Sequence, residues 1–298
     1  MGVSILQVVL KVGGLTVLRV VLIPVALYYL VTHRIARNAS FDYLDHLNRY
    51  CAKHNLKCAL NKGWLSSYRH IYSFALSMAE KYAAWCGDYE PIALQDVNEV
   101  DKLLKDLPSN RGAVLVVSHL GNFDLAMTAG VSKTDRTYHI LIDHFGTRRF
   151  NSERFAAMQN DRLFFYDTDN FGIDSAMQLY QAMDDGDVVV IPVDRIGGKR
   201  NAAVDIRFLD GQIHLPTGPW IMAHVLKCPV VAVFICREKE KYRVITRRLS
   251  DGLGFGDRRS RNKNLQEIVQ SYAHFMEEVV VEYPEQWYNF YKYWQGEN

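Results

Sequence analysis

Short apolar blocks rich in β-branched residues alternate with amphipathic stretches along most of the chain. The blocks have the length and composition of buried strands, whereas the stretches between them repeat apolar residues at helical spacing. We predict strands at Val114–Val117, Tyr138–Ile142, Leu163–Tyr166, Asp187–Val193, Asp205–Leu209, Val230–Ile235 and Tyr242–Thr246. We predict helices at Ser40–Lys53, Trp64–Trp85, Val97–Leu107, Leu125–Ala129, Ser152–Gln159, Gly172–Met183, Gly218–Leu226 and Leu265–Glu282. This order indicates an α/β fold with a mostly parallel central sheet flanked by helices.

The first part of the chain is one long apolar run that is not divided into blocks of strand length. Ile5–Val31 is long enough for a helix that crosses a bilayer, which needs about 20 apolar residues. Lys11 and Arg19 interrupt this run, which leaves open whether the helix spans the membrane or lies in its surface. We predict a membrane-associating anchor helix over residues 1–37 and one catalytic domain over 38–298. The alternative is a core helix of a soluble protein.

Composition and charge exclude several classes of function. The chain has 298 residues, of which 49% are hydrophobic, and this is enough to bury a sizeable core. A formal charge of +2 argues against nucleic acid as a partner. The cysteines are scattered without Cys-x-x-Cys spacing, and the histidines lack the pair spacing of metal ligands. We therefore expect neither a disulfide framework nor a metal site.

The stretch Ala113–Gly130 carries the strongest candidate chemistry. The predicted strand leads to His119, and Gly121 lets the backbone turn tightly before Asn122, a suitable helix N-cap. Asp124 then falls in the first turn of the predicted helix, within reach of the imidazole. A carboxylate that accepts the Nδ1–H bond leaves Nε2 free to act as a general base. The alternative is that His119 only ends a strand and Asp124 only caps a helix.

A second polar stretch follows the strand predicted at Asp187–Val193. Functional groups of open α/β sheets collect at the carboxyl ends of strands, so we expect Asp194–Arg195 to lie near His119. Glycines here offer backbone N–H groups, and basic side chains can bind phosphates or carboxylates, unless they form a solvated loop. A turn is expected at Leu215–Pro219. The candidate substrate-binding residues are Gly121, Asn122, Asp194, Arg195, Gly197, Gly198, Lys199, Arg207, Thr217 and Gly218.

Several motifs follow one another in a fixed order behind the apolar N-terminal helix: His119 with Asp124, Asp194–Arg195, Phe208–Gly211, Pro216–Gly218 and Pro284-Glu285-Gln286-Trp287. With them the chain resembles the glycerolipid and lysophospholipid acyltransferase superfamily and its H-x-x-x-x-D/E signature. Within it, the chain most resembles the lipid A biosynthesis (lauroyl/myristoyl) acyltransferase family. Asp124 stands where lipid A members usually have Glu, and the residues after Trp287 are aromatic where theirs are rich in His and Arg.

The resemblance implies a membrane-associated enzyme of lipid biosynthesis. It implies transfer of a fatty acyl chain from acyl carrier protein or coenzyme A to a hydroxyl of lipid A, or of a related glycolipid or specialised lipid. His119 would be the general base and Asp124 its orienting partner, with the acyl thioester as co-substrate and no cofactor. The expected location is the cytoplasmic face of the bacterial inner membrane, in lipopolysaccharide biosynthesis.

The chemistry of the His119–Asp124 pair adds one expectation, and two alternatives to the acyltransferase function stay open. Backbone N–H groups near Gly121 or Gly197–Gly198, with Arg195, are expected to stabilise the oxyanion. A non-catalytic lipid-binding or membrane scaffold protein with the same fold would not need His119 or Asp124. An acyl thioesterase would use the same pair with water as the acceptor, and it would release fatty acid without any lipid acceptor.

Overall fold

The structure is a computed structural model that describes residues 2–85, 94–95, 112–123, 125, 136–142, 162–194, 203–239, 241–254 and 260–294. Its helices are α1 (Gly2–Thr32), α2 (Arg34–Lys53), α3 (Trp64–Trp85), α4 (Ile173–Asp184), α5 (Gly218–Leu226) and α6 (Arg261–Glu282). Its strands are β1 (Leu94–Gln95), β2 (Ala113–Val117), β3 (Tyr138–Ile142), β4 (Leu163–Asp167), β5 (Val188–Pro192), β6 (Ala203–Phe208), β7 (Gly211–Pro216), β8 (Val230–Glu238) and β9 (Lys241–Ser250).

One seven-stranded sheet organises the described residues, in the order β1-β9-β8-β2-β5-β3-β4. Neighbouring strands in this sheet run parallel, except that β8 pairs with β9 in the antiparallel sense. β6 and β7 form a separate antiparallel hairpin. The predicted α/β fold with a mostly parallel central sheet is confirmed.

Both faces of the sheet are covered, and this explains why β2 is apolar at every position. Val114 and Val116 point into a core with α2, α4, α5, α6 and the β6–β7 hairpin. Leu115 and Val117 point into a second core, which α1 and α3 complete. A parallel strand enclosed in this way has no polar face, so its sequence reads as a continuous apolar block.

Helix α1 packs along α3 through one stripe of its surface. The helix is broken at Gly14, whose φ of 62° a β-carbon would disfavour. Beyond this break, one side chain per helical turn is buried on the α3 side: Leu18, Leu22, Ala26 and Leu30. The opposite face is apolar and exposed, and it includes Val17, Val20, Val21, Ile23, Val25, Leu27, Tyr28, Tyr29 and Val31.

Arg19, which interrupts the apolar run of α1, turns its charge toward the protein. Its guanidinium lies 3.5 Å from the carboxylate of Glu80 on α3, and Glu80 is fully buried. Arg237 lies 3.7 Å from the same carboxylate, and Tyr242 donates a 2.6 Å hydrogen bond to it. The arginine therefore compensates a buried acid, and its charge does not interrupt the exposed apolar face.

Helix α2 begins at Arg34, earlier than the predicted Ser40. The Arg37 guanidinium donates to the carbonyls of Leu30 and Val31, at 3.2 and 2.8 Å. These two bonds satisfy carbonyls that the end of α1 leaves unpaired. The chain can therefore start a new helix immediately after His33. The domain boundary predicted at residue 37 thus falls inside α2.

The turn predicted at Leu215–Pro219 is wrong, because Leu215 and Pro216 end strand β7. The hairpin turn before β7 is made by Leu209 and Asp210, both with positive φ, although neither is glycine. Glu277 of α6 accepts a 2.7 Å hydrogen bond from the Leu209 N–H and so holds the turn from outside. The helices predicted at Val97–Leu107, Leu125–Ala129 and Ser152–Gln159 lie outside the described residues, apart from Leu125.

Candidate active site

The carboxyl ends of β2 and β5 bring together two residues that lie far apart in the sequence. The two strands are parallel neighbours, with Val117 opposite Pro192. The Val193 N–H continues the pairing with a 3.0 Å bond to the carbonyl of Val117. The next residues of each strand are therefore delivered to the same place, and the expected approach of Asp194 to His119 is confirmed.

Asp194 holds His119 by both its ring and its main chain. The Nδ1 atom of His119 lies 3.0 and 3.1 Å from the two carboxylate oxygens. The His119 main-chain N–H donates to Oδ2 at 2.8 Å. Because a carboxylate only accepts, Nδ1 carries the ring proton and Nε2 presents a lone pair. Asp194 is 1% exposed, so the acid is screened from solvent while it fixes the imidazole.

The other side of the imidazole is open. The His119 side chain is 37% exposed. Within the described residues, its Nε2 atom has no hydrogen-bond partner. A histidine with one nitrogen bonded to a buried acid and the other reachable by a ligand has the arrangement of a general base.

The turn after His119 uses its own N–H groups for structure. Gly121 has a φ of 79°, and a β-carbon there would collide with the carbonyl of Ile235. The Gly121 N–H donates to the carbonyl of Gln286 at 2.8 Å, and the Asn122 N–H donates to Ile235 at 2.7 Å. The Leu120 N–H is bonded to the hydroxyl of Ser118. The N–H groups of residues 120–122 are therefore not free to serve as the oxyanion donors expected near Gly121.

Asn122 makes the side-chain hydrogen bond that is typical of a helix N-cap. Its Oδ1 atom accepts a 3.2 Å bond from the Leu125 N–H, and its Nδ2 atom donates to the Ser77 carbonyl at 3.0 Å. The residue is 4% exposed. Both polar atoms of its amide are thus bonded inside the protein.

The remaining candidates fall into two groups. Arg207 lies on β6, where its main-chain N–H and C=O both bond the side chain of Gln270 on α6. Thr217 is buried just before α5, and Gly218 is the first residue of that helix. The candidates that lie outside the described residues are Asp124, Arg195, Gly197, Gly198 and Lys199.

Sequence reasoning missed a second set of residues around the pair. The hydroxyls of Tyr291 and Tyr293 each donate to the Asp194 carbonyl at 3.3 Å. The Tyr288 N–H donates to the His119 carbonyl at 2.9 Å. The aromatic residues that follow Trp287 are the signal that points to them, because tyrosines buried near a chain end need hydroxyl partners.

The described residues contain no cluster of side chains suited to a metal ion. Cys51, Cys58 and Cys236 are free thiols. Burial raises the pKa of the Cys51 thiol to about 12, which makes it unsuited to nucleophilic chemistry. The described part of the site therefore offers acid–base chemistry through His119.

Comparison with protein families identifies the type of enzyme. The chain matches the profile of the bacterial lipid A biosynthesis acyltransferases over residues 3–296. It belongs to that family. A comparison with curated proteins found no match. As a lipid A biosynthesis acyltransferase, the chain is an enzyme that takes an acyl donor and a lipid acceptor.

The family is membrane-associated in bacteria, and α1 is consistent with this. In the described part of the chain, the segment Gly13–Thr32 is long and apolar enough to cross a membrane, with a mean hydropathy of 2.0. The resemblance recognised from the sequence motifs is thus confirmed for the family and for the type of enzyme.

Proposed function

We propose that this acyltransferase moves a fatty acyl chain from acyl carrier protein or coenzyme A to a hydroxyl group of a lipid A precursor. His119 acts as the general base, and Asp194 orients it. The observation that carries the proposal is the unequal use of the imidazole nitrogens. Nδ1 is bonded to a buried carboxylate, whereas Nε2 has no partner among the described residues and belongs to a side chain that is 37% exposed.

The proposed reaction needs only one group that moves a proton in both directions. The acceptor hydroxyl donates a hydrogen bond to Nε2 of His119, loses its proton to it and attacks the thioester carbonyl. Asp194 stabilises the imidazolium that results. When the tetrahedral intermediate collapses, the carbon–sulfur bond breaks and the Nε2–H protonates the departing thiolate, which restores the neutral histidine.

This role for Asp194 differs from the assignment implied by the family motif. The motif implies Asp124 as the orienting residue, and Asp124 lies outside the described residues. Asp194 already accepts both the ring N–H and the main-chain N–H of His119. We therefore assign the orientation of the imidazole to Asp194 and keep Asp124 as a prediction to be tested beside it.

The oxyanion must be stabilised by donors other than those of the His119 turn. The N–H groups of residues 119–122 are all bonded inside the protein. The donors predicted at Gly197, Gly198 and Arg195 remain as the proposal for this role. They follow Asp194 directly in the sequence, which supports a position beside the imidazole.

We place the enzyme on the cytoplasmic face of the inner membrane, with the outer face of α1 in contact with lipid. This face is apolar, and Val20 is 62% and Leu27 52% exposed. No acidic residue occurs in residues 1–37, which favours contact with anionic lipid. Flotation with anionic vesicles should recover the wild type and lose a Val20→Glu/Leu27→Glu double variant. Equal flotation of the two proteins would contradict the assignment.

The experiment that tests the reaction follows labelled acyl groups from each thioester donor onto a lipid A precursor. We expect labelled lipid from the wild type and at most traces from His119→Gln. His139→Gln is the matched control, because His139 also pairs with an aspartate, Asp187 at 3.0 Å, but lies near the amino end of β3. This control should transfer at the wild-type rate.

Two results would contradict the proposal. Equal rates of acyl transfer by His119→Gln and the wild type would show that His119 is not the general base. Release of fatty acid at the same rate with and without lipid would make water the acceptor and the enzyme a thioesterase.

A further inference from the structure

The carboxyl-terminal segment, residues 284–294, crosses the candidate active site and bonds to both members of the His119–Asp194 pair. We propose that it is a positioning element, which fixes the two residues relative to each other through their main chains. The inference rests on the proposed role of His119 as the general base. No other described segment outside β2 and β5 bonds the main chains of both residues in the hydrogen bonds that the structure shows.

The first attachment is to the His119 turn. The Tyr288 N–H donates to the His119 carbonyl at 2.9 Å, and the Gln286 carbonyl accepts from the Gly121 N–H at 2.8 Å. These two bonds enclose an antiparallel bridge between Leu120 and Trp287. The turn is therefore paired on one edge as a strand would be, although it lies beyond the end of β2.

The second attachment is to Asp194. The hydroxyls of Tyr291 and Tyr293 converge on its carbonyl oxygen, each at 3.3 Å. Asp194 lies beyond the end of β5, where the sheet no longer fixes the backbone. Two donors on one carbonyl restrict the rotation of that peptide and hence the direction of the carboxylate.

The segment itself is anchored from several sides. Its Gln286 side chain pairs with the main chain of Arg237 on β8, accepting at 2.7 Å and donating at 2.8 Å. Tyr43 of α2 donates to the Pro284 carbonyl at 2.7 Å. His70 of α3 bonds the Trp287 carbonyl at 2.8 Å. Because the segment is held by elements that are not part of the site, it can hold the site.

Trp287 and Trp294 add packing to these bonds. Trp287 is fully buried and meets Phe208, Tyr43 and Tyr293 edge-on or tilted. The Trp294 indole donates to the Phe208 carbonyl at 3.0 Å. Truncation of the segment would remove part of the core, so the test needs substitutions that remove single hydroxyls and keep the rings.

The test removes the two hydroxyls on Asp194 by Tyr291→Phe and Tyr293→Phe, singly and together. Tyr72→Phe on α3 is the matched control, because its hydroxyl also donates to a main-chain carbonyl, that of Arg19 on α1 at 3.0 Å. We expect the double variant to lower kcat about 10-fold with unchanged KM for donor and lipid, because misplaced catalytic groups cost rate. The single variants should lie between, and Tyr72→Phe should match the wild type.

A second readout follows the pair without the reaction. The Nδ1–H proton of His119, bonded to a carboxylate, should give a far-downfield NMR signal, which is assigned by its loss in His119→Gln. This signal should move upfield or disappear in the double variant and stay in place in Tyr72→Phe. Thermal midpoints measured in parallel show that all the proteins compared are folded.

The two readouts separate this inference from the proposed function. If the wild type transfers no acyl group, the proposed function fails, and the NMR signal alone then decides whether the segment positions the pair. If kcat and the His119 signal of the double variant equal those of Tyr72→Phe, the segment does not position the pair. If the double variant is unfolded, the same comparison is made with each single variant.

Discussion

His119 and His70 both lie in hydrogen-bonded constellations near the same segment, but the structure uses them differently. His70 is fully buried, its Nε2–H donates to the Trp287 carbonyl and its Nδ1 accepts from the Ser40 hydroxyl at 3.0 Å. His119 bonds a carboxylate through one nitrogen and leaves the other reachable. A histidine whose two nitrogens bond a neutral carbonyl and a hydroxyl has a structural role. A histidine with one nitrogen bonded to a buried acid and the other accessible is suited to proton transfer.

The difference extends to ionisation. Burial lowers the pKa of His70 to about 4, and the bond to the Trp287 carbonyl opposes this shift only in part. His70 therefore stays neutral at cellular pH and holds one tautomer. The two histidines bond adjacent residues of the same segment. The Trp287 carbonyl accepts from His70, and the Tyr288 N–H donates to the His119 carbonyl. The first histidine thus supports the segment that supports the second.

Asp194→Asn is expected to have a large effect on the catalytic histidine and little effect on the structural one. The amide keeps the size of the side chain but can donate to Nδ1, which favours the tautomer with the proton on Nε2. We expect the rate of acyl transfer to fall by about 100-fold or more, with little change in thermal midpoint. Initial rates at saturating donor and lipid measure this. A rate near that of the wild type would show that Asp194 does not orient His119.

The next effect concerns stability. His70→Leu removes one of the two donors on the Trp287 carbonyl, which keeps the Asn289 N–H, and removes the acceptor of the Ser40 hydroxyl. The unsatisfied Ser40 donor costs about 1–3 kcal/mol and the lost bond to the carbonyl about 1 kcal/mol, so we expect the free energy of unfolding to fall by about 2–4 kcal/mol. Urea unfolding in detergent measures the change. An unchanged unfolding free energy would contradict a structural role for His70.

A pH dependence of similar size follows from the lowered pKa of His70. Below pH 6.5 the unfolded chain binds a proton at this residue, whereas the folded chain does so only near pH 4. The wild type should therefore lose stability as the pH falls from 6.5 to 4, by on the order of 3 kcal/mol from this group. His70→Leu should lack this part of the loss. Parallel stability curves for the two proteins would rule out the assignment.

The smallest effect is expected at the outer end of the His70 constellation. Ser67 donates to the Ser40 hydroxyl at 2.9 Å, and both residues are buried. Ser67→Ala should lower the free energy of unfolding by about 1 kcal/mol. It should leave the rate of acyl transfer unchanged, because the bond from His70 to the Trp287 carbonyl is kept. Loss of acyl transfer in this variant would show that the structural role of His70 cannot be separated from the catalytic role of His119.

The apolar periodicity predicted most of the described elements, because burial decides them locally. β3 and α3 begin and end at the predicted residues, and α5 does the same. The approach of Asp194 to His119 was also predictable. Both residues follow strand-like blocks, and parallel strands end at the same edge.

Features that depend on distant contacts were not predictable. The β6–β7 turn uses Leu209 and Asp210 instead of the Asn-Gly or Asp-Gly pair that marks such turns, and Glu277 stabilises it from α6. Gly121 suggested free N–H groups, but Gln286 from the end of the chain occupies its donor. No local pattern states which strand edge a terminal segment will cover.

The measurement that tests the account most directly compares the same substitution at the two histidines. Glutamine can replace the hydrogen bonds of an imidazole but cannot exchange a proton near neutral pH. In one acyl-transfer assay, His119→Gln should lose about 10²- to 10⁴-fold in rate while it stays folded, and His70→Gln should keep most of its rate. Transfer at the wild-type rate by His119→Gln, or equal losses in both variants, would contradict the account.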